Sequence, residues 1–126
     1  GNHGCQGGDI YDAYGYHIAN EGVDDANGFS YVGKQSSCSY NSRYIGASIS
    51  GSVSVKEGDE SDLVAAVANA GPVAVGVDAS SSAFRYYSSG IYNSSSCSSS
   101  SLNHAVVIIG YSSSSSSSYW VAKNSW

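Results

Sequence analysis

The chain has 126 residues, of which 30 are serine and 15 glycine, and its net charge is −5. That charge excludes a phosphate-backbone binder, which needs a basic face, and the 11 tyrosines have too few cations near them to build a nucleic-acid stacking surface. No window approaches the roughly 20 apolar residues of a membrane span, no basic-then-apolar leader is visible, and a 41% hydrophobic fraction is enough for a core.

Gly1 to Gly8 is glycine-rich and reads as a loop. From Asp9 to Asn20, apolar or aromatic residues recur at Ile10, Ala13, Tyr14, His17 and Ile18, the three- and four-residue spacing of one helical face. Glu21-Gly22 closes that helix. Residues 23 to 47 mix tyrosines with turn formers and show little periodicity. Ile49, Gly51, Val53 and Val55 alternate with serines and predict a half-buried strand. Asp59 to Asp62 then supplies a cap and first-turn acids for a helix running to Ala70, with Leu63, Ala66, Val67 and Ala70 as its buried stripe. Gly71-Pro72 is a stop signal.

Val73 to Asp78 reads as a strand and Ser80 to Tyr87 as a short helical turn. A serine cluster, Ser94 to Ser101, surrounds Cys97. The apolar run Ala105 to Tyr111 has the length of a buried strand. Seven consecutive serines, Ser112 to Ser118, predict the loop of a hairpin whose second strand is Tyr119 to Lys123. A leading helix followed by a strand-dominated half makes the chain α+β.

Two polar side chains flank those last strands. If the strands pair across the serines, His104 and Asn124 lie at one end of the hairpin. Histidine there can act as general acid or base, with Asn124 holding one tautomer and Trp126 sheltering the bond. A structural hydrogen bond satisfies the same spacing. His3 and His17 read as structural. Zinc needs paired ligands, and Cys5 near His3 has no second pair, so no metal or other cofactor is implied. Cys5, Cys38 and Cys97 are an odd number, which in a secreted domain means a free thiol or a partner elsewhere. No serine lies in a nucleophile elbow.

Several segments together resemble the papain-like cysteine proteases of the cathepsin L type. They are Asn2-His3-Gly4-Cys5-Gln6-Gly7-Gly8, Gly71 to Ala79, Phe84 to Tyr92, Asn103-His104-Ala105-Val106 and Lys123-Asn124-Ser125-Trp126. The resemblance covers nearly the whole chain, in order. It implies a papain-like two-lobe fold, with 1–52 as the end of the helix-rich lobe and 53–126 as most of the β-barrel-like lobe. Within the family, the serine clusters and the segment Ser80 to Gly90 look like the silicateins, sponge members that template and catalyse silica deposition. A typical cathepsin L has charged and mixed residues in those loops, and glycine where Ser112 stands.

The resemblance further implies that His104 is the acid/base and Asn124 its orienting partner. The nucleophile (serine in silicateins, cysteine in the proteases) and an oxyanion-hole glutamine are expected on a helix upstream of Gly1. Gly7 and Gly8 correspond to the strip along which substrate backbone lies. Ile10, Gly76, Leu102 and Ala105 correspond to walls of the main apolar subsite, and Asn103 flanks the leaving-group side. Cys5, Cys38 and Cys97 are halves of disulfides whose other halves lie outside 1–126, so the chain by itself is expected to be poorly stable, at about 2–5 kcal/mol for each missing bond. The substrate is silicic acid, a silicon alkoxide or a peptide. Self-association into filaments and a secretory, extracellular or lysosome-like location follow from the same resemblance, the spicule axial filament being the silicatein case. An inactive scaffold of the same fold is a further alternative. Serine, cysteine or another residue as nucleophile separates the three.

Overall fold

In a computed structural model describing all of residues 1–126, the chain forms two units, residues 1–54 and 55–126. The first helix of the first unit, α1 (Ile10–Ala19), starts where Asp9 caps it, its carboxylate accepting from the Tyr11 N–H at 2.7 Å and the Asp12 N–H at 3.4 Å. Such a cap contributes about 0.5–2 kcal/mol. Ile10, Ala13, Tyr14 and His17 are half-buried on the expected face, but Ile18 is exposed. Nδ1 of His17, which the sequence reads as a satisfied structural histidine, is buried without a hydrogen-bond partner. Two very short strands follow, β1 (Val23–Asp24) and β2 (Ile45–Ala47), paired antiparallel. They lie in the stretch without periodicity, because two or three residues are too few to show any.

The predicted strand over Ile49 to Val55 does not form. Ile49 is exposed and Val53 is 96% exposed. Alternation defines two faces, but a strand also needs a hydrogen-bonded neighbour, and this segment crosses from one unit to the next without one.

In the second unit, Asp59 caps α2 (Glu60–Asn69) by accepting from the Asp62 N–H. The helix ends at Ala70, which is exposed rather than part of the stripe, and Gly71 follows with φ 103°, where an L side chain is strained. The chain re-enters as β3 (Val73–Val77), passes the one-turn helix α3 (Ser82–Arg85), and returns as the long hairpin β4 (His104–Ser114) and β5 (Ser117–Lys123). The sheet order is β3-β4-β5, all antiparallel, with α2 packed on β4. Ile109 is an extra residue between the Ile108–Ala122 and Gly110–Val121 pairs, a bulge in β4.

The hairpin differs from expectation at its tip. Only Ser115 and Ser116 form the turn, and Ser112, Ser113 and Ser114 pair with Tyr119, Ser118 and Ser117. The serines are therefore mostly ladder rather than loop. The aromatic rung Tyr111–Trp120, with rings 5.9 Å apart, and the Ser112–Tyr119 pair carry the pairing outward.

The core is small: Ala79, Val106 and Ile108 are the buried apolar residues, at 4–5% exposure. No helix is long and apolar enough to cross a membrane.

Candidate active site

His104 opens β4 opposite Val77, so its backbone is fixed by the first rung of the β3–β4 ladder. The hairpin brings β5 back alongside β4, and Asn124 follows its last residue. The two side chains meet: His104 Nε2 and Asn124 Oδ1 are 2.8 Å apart. The orientation of the amide is determined independently, because the Ser125 N–H donates to the same Oδ1 at 2.8 Å. An amide oxygen only accepts, so Nε2 carries the proton and Nδ1 keeps its lone pair. The neutral ring is thus a base at Nδ1.

Aromatic rings surround the imidazole. Trp126 lies over it with centroids 4.5 Å apart and planes at 34°. Phe84, brought in by α3, meets Trp126 edge-on at 5.7 Å, His104 at 6.2 Å and Tyr92 at 5.6 Å. His104 is half-buried, while Trp126 keeps 66% of its surface exposed. Trp126 was visible from spacing. Phe84 was visible only as part of a resembling segment, because nothing local links it to a residue 20 positions on.

The other sequence-derived site residues fall in both units. In the second, Gly76 pairs with Ala105, and a Cβ at Gly76 would stand 3.1 Å from Leu102 Cδ1. Gly76, Leu102 and Ala105 are therefore neighbours, all exposed, beside His104. Asn103 directly precedes the histidine, its N–H donating to the Val77 carbonyl at 3.0 Å. In the first unit, Gly7 and Gly8 follow a single 3-10 turn over Gly4–Gln6, exposed, with Gly7 at φ 93°. A side chain at Gly8 would collide with Asn2. Ile10 begins α1, half-buried.

Cys5, Cys38 and Cys97 are exposed and free, so no disulfide closes within the chain. The Tyr40 N–H, and then the Tyr16 hydroxyl 3.6 Å away, hold the Cys38 thiol below its usual range, and the same contact raises Tyr16. No group of three or more potential metal ligands converges.

One acid close to His104 escaped the sequence reading. Asp78 follows β3 and is 7% exposed. The Ser80 hydroxyl, then the Ser98 and Ser80 N–H groups, lower its carboxyl to about 2 against the opposing effect of burial. A depressed carboxylate contributes stability that is complete above its unfolded value of 3.8 and lost as pH falls through about 2. The full-length protein is expected to lose stability across that window, and Asp78→Asn to flatten that part of the profile. Denaturant midpoints at pH 5, 3 and 2 check it; parallel profiles would contradict the assignment.

Comparison with known proteins accords with this geometry. The sequence model described as papain family cysteine protease matches residues 1–126. The chain belongs to the papain family of cysteine proteases. It is 47% identical to a silicatein of Petrosia ficiformis and 42% identical to cathepsin L of Sarcophaga peregrina, in each case over the whole chain. The structure of digestive procathepsin L2 proteinase from Tenebrio molitor larval midgut superposes with a TM-score of 0.92 at 38% identity, over 99% of this chain. The chain spans 37% and 38% of those two relatives' lengths and 39% of the solved structure. Its papain-like fold and its relationship to the cathepsin L group thus stand on sequence and coordinates together.

Proposed function

We propose that the protein carrying this chain is a silicatein-like hydrolase that forms silica from silicic acid or silicon alkoxides. The observation that carries the chemistry is the His104–Asn124 pair at 2.8 Å, with Nδ1 left as the base. The 47% identity to the Petrosia silicatein favours this substrate class. In this reading a serine hydroxyl outside the chain attacks silicon while His104 Nδ1 takes its proton. The imidazolium returns that proton to the departing alkoxide, which leaves as the alcohol. Asn124 keeps the ring in the required tautomer. Hydroxyls along the Ser112 to Ser118 hairpin offer hydrogen bonds to silicic acid, and filament assembly in a secretory compartment belongs to the same reading.

A cathepsin L-like endopeptidase is the second reading, favoured by the 42% identity to the Sarcophaga cathepsin L. There the nucleophile is cysteine, and exposed Gly76, Leu102 and Ala105 form an apolar wall for a peptide side chain. Assaying the full-length protein against a silicon alkoxide and a peptide ester, with the nucleophile identified, separates the two. Alkoxide turnover with a serine nucleophile supports the first reading, and peptide turnover with cysteine replaces it. Substituting Ser112–Ser118 by Gly-Ala repeats is expected to reduce silica adsorption; unchanged adsorption removes the hairpin from the proposal.

A further inference from the structure

Asp78 is the one buried charged residue of the chain. Burying a carboxylate is costly unless it is fully hydrogen-bonded. No cation pairs with it; the side-chain ion pair of the chain is Lys56–Asp59. Its partners are four donors. Oδ1 accepts from the Ser80 hydroxyl at 2.6 Å, the Ser80 N–H at 3.0 Å and Asn103 Nδ2 at 3.5 Å. Oδ2 accepts from the Ser98 N–H at 2.9 Å.

One of these partners, Asn103, through the longest of the four contacts, is the residue before His104. Asn103 gives Nδ2 to Asp78, receives the Ala79 N–H on Oδ1 at 2.8 Å, and donates its own N–H to the Val77 carbonyl at 3.0 Å. Three contacts therefore tie Asn103 to residues 77–79. The Ser98 contact tethers the serine segment that leads into it. His104 sits on the next rung, opposite Val77, and its imidazole must reach Asn124 at 2.8 Å. A hydrogen bond tolerates only a few tenths of an ångström before it weakens, and misplacing a reacting group by about 1 Å costs up to about 10²-fold in rate.

From this geometry we infer that Asp78 is a positioning residue for His104, acting through Asn103 and the Ser98 backbone. This role rests on the acid/base reading of His104. It requires an acceptor-only side chain. Asparagine has the same shape, but its NH₂ would face one of the donors, opening the network without removing bulk.

The test uses full-length protein with Asp78→Asn, Ser80→Ala and His104→Ala. The readouts are kcat and KM for the alkoxide and peptide substrates, and the pH titration of the His104 imidazole by NMR. Asp78→Asn is expected to lower kcat about tenfold with KM within about twofold, and to shift the His104 titration. Ser80→Ala removes one donor while sparing the carboxylate, and is expected to lower kcat about threefold in the same manner. If Asp78→Asn changes stability alone, leaving kcat and the titration as in the parent, Asp78 is structural and the inference is overturned. If that variant fails to fold, Ser80→Ala decides by the same readouts, and parent-like values overturn it. Full activity in His104→Ala refutes the acid/base reading, and the imidazole titration in the Asp78 and Ser80 variants still decides whether the network positions the ring.

Discussion

Replacing His104 by alanine in the full-length protein is expected to lower hydrolysis about 10²–10⁴-fold, the usual contribution of a placed acid/base. KM should change little, because the imidazole moves a proton rather than holding substrate. The substitution removes the Nε2 bond to Asn124 and the contact with Trp126, yet leaves the His104–Val77 rung intact. Asn124→Ala is expected to fall between His104→Ala and the parent: the base survives, but nothing selects the tautomer with its lone pair at Nδ1. Steady-state rates against a silicon alkoxide and a peptide ester, with circular dichroism as the folding control, measure both. A His104→Ala enzyme within about threefold of the parent rate would contradict the role.

The second large effect falls on stability. Ile108 is 5% exposed and occupies the middle strand, opposite Val73 on one side and Ala122 on the other. Ile108→Ala is expected to cost about 2–5 kcal/mol through lost burial and the cavity left behind. Denaturant unfolding of the full-length protein reads the change. A shift below about 1 kcal/mol would mean that the sheet's stability comes from elsewhere.

Much of the site was legible because it is local once the hairpin closes. The apolar run Ala105 to Tyr111 and the return strand to Lys123 had only to pair for His104 and Asn124 to share one end. Helix α1 was legible from its apolar spacing and α2 also from Asp59, whose carboxylate does cap it; the cap at Asp9 came from the structure. Resemblance chose the catalytic reading of that pair over a structural one and supplied the subsite residues, which spacing could not. Asp78 was hidden because its partners Ser98 and Asn103 lie 20 and 25 residues away, and no periodicity reports a contact between loops. Ile49 to Val55 misled for the opposite reason. Its pattern is strand-like, but pattern encodes a face and not a neighbour. The serine run misled because serine favours turns, while ladder pairing from Tyr111 and Trp120 carried it outward regardless.

That hairpin tip has a consequence for how the chain tolerates change in length. Between Ser112 and Ser118 one side chain simply repeats, apart from nothing that could mark a position. Register in a sheet is normally read from which residues must face inward, and here that message stops at Tyr111 and Trp120. Removing one serine from each arm, or adding one to each, keeps every rung below Tyr111–Trp120 in place. The protein can therefore lengthen or shorten its hydroxyl-bearing arm in paired steps without disturbing the His104 end of the same strand.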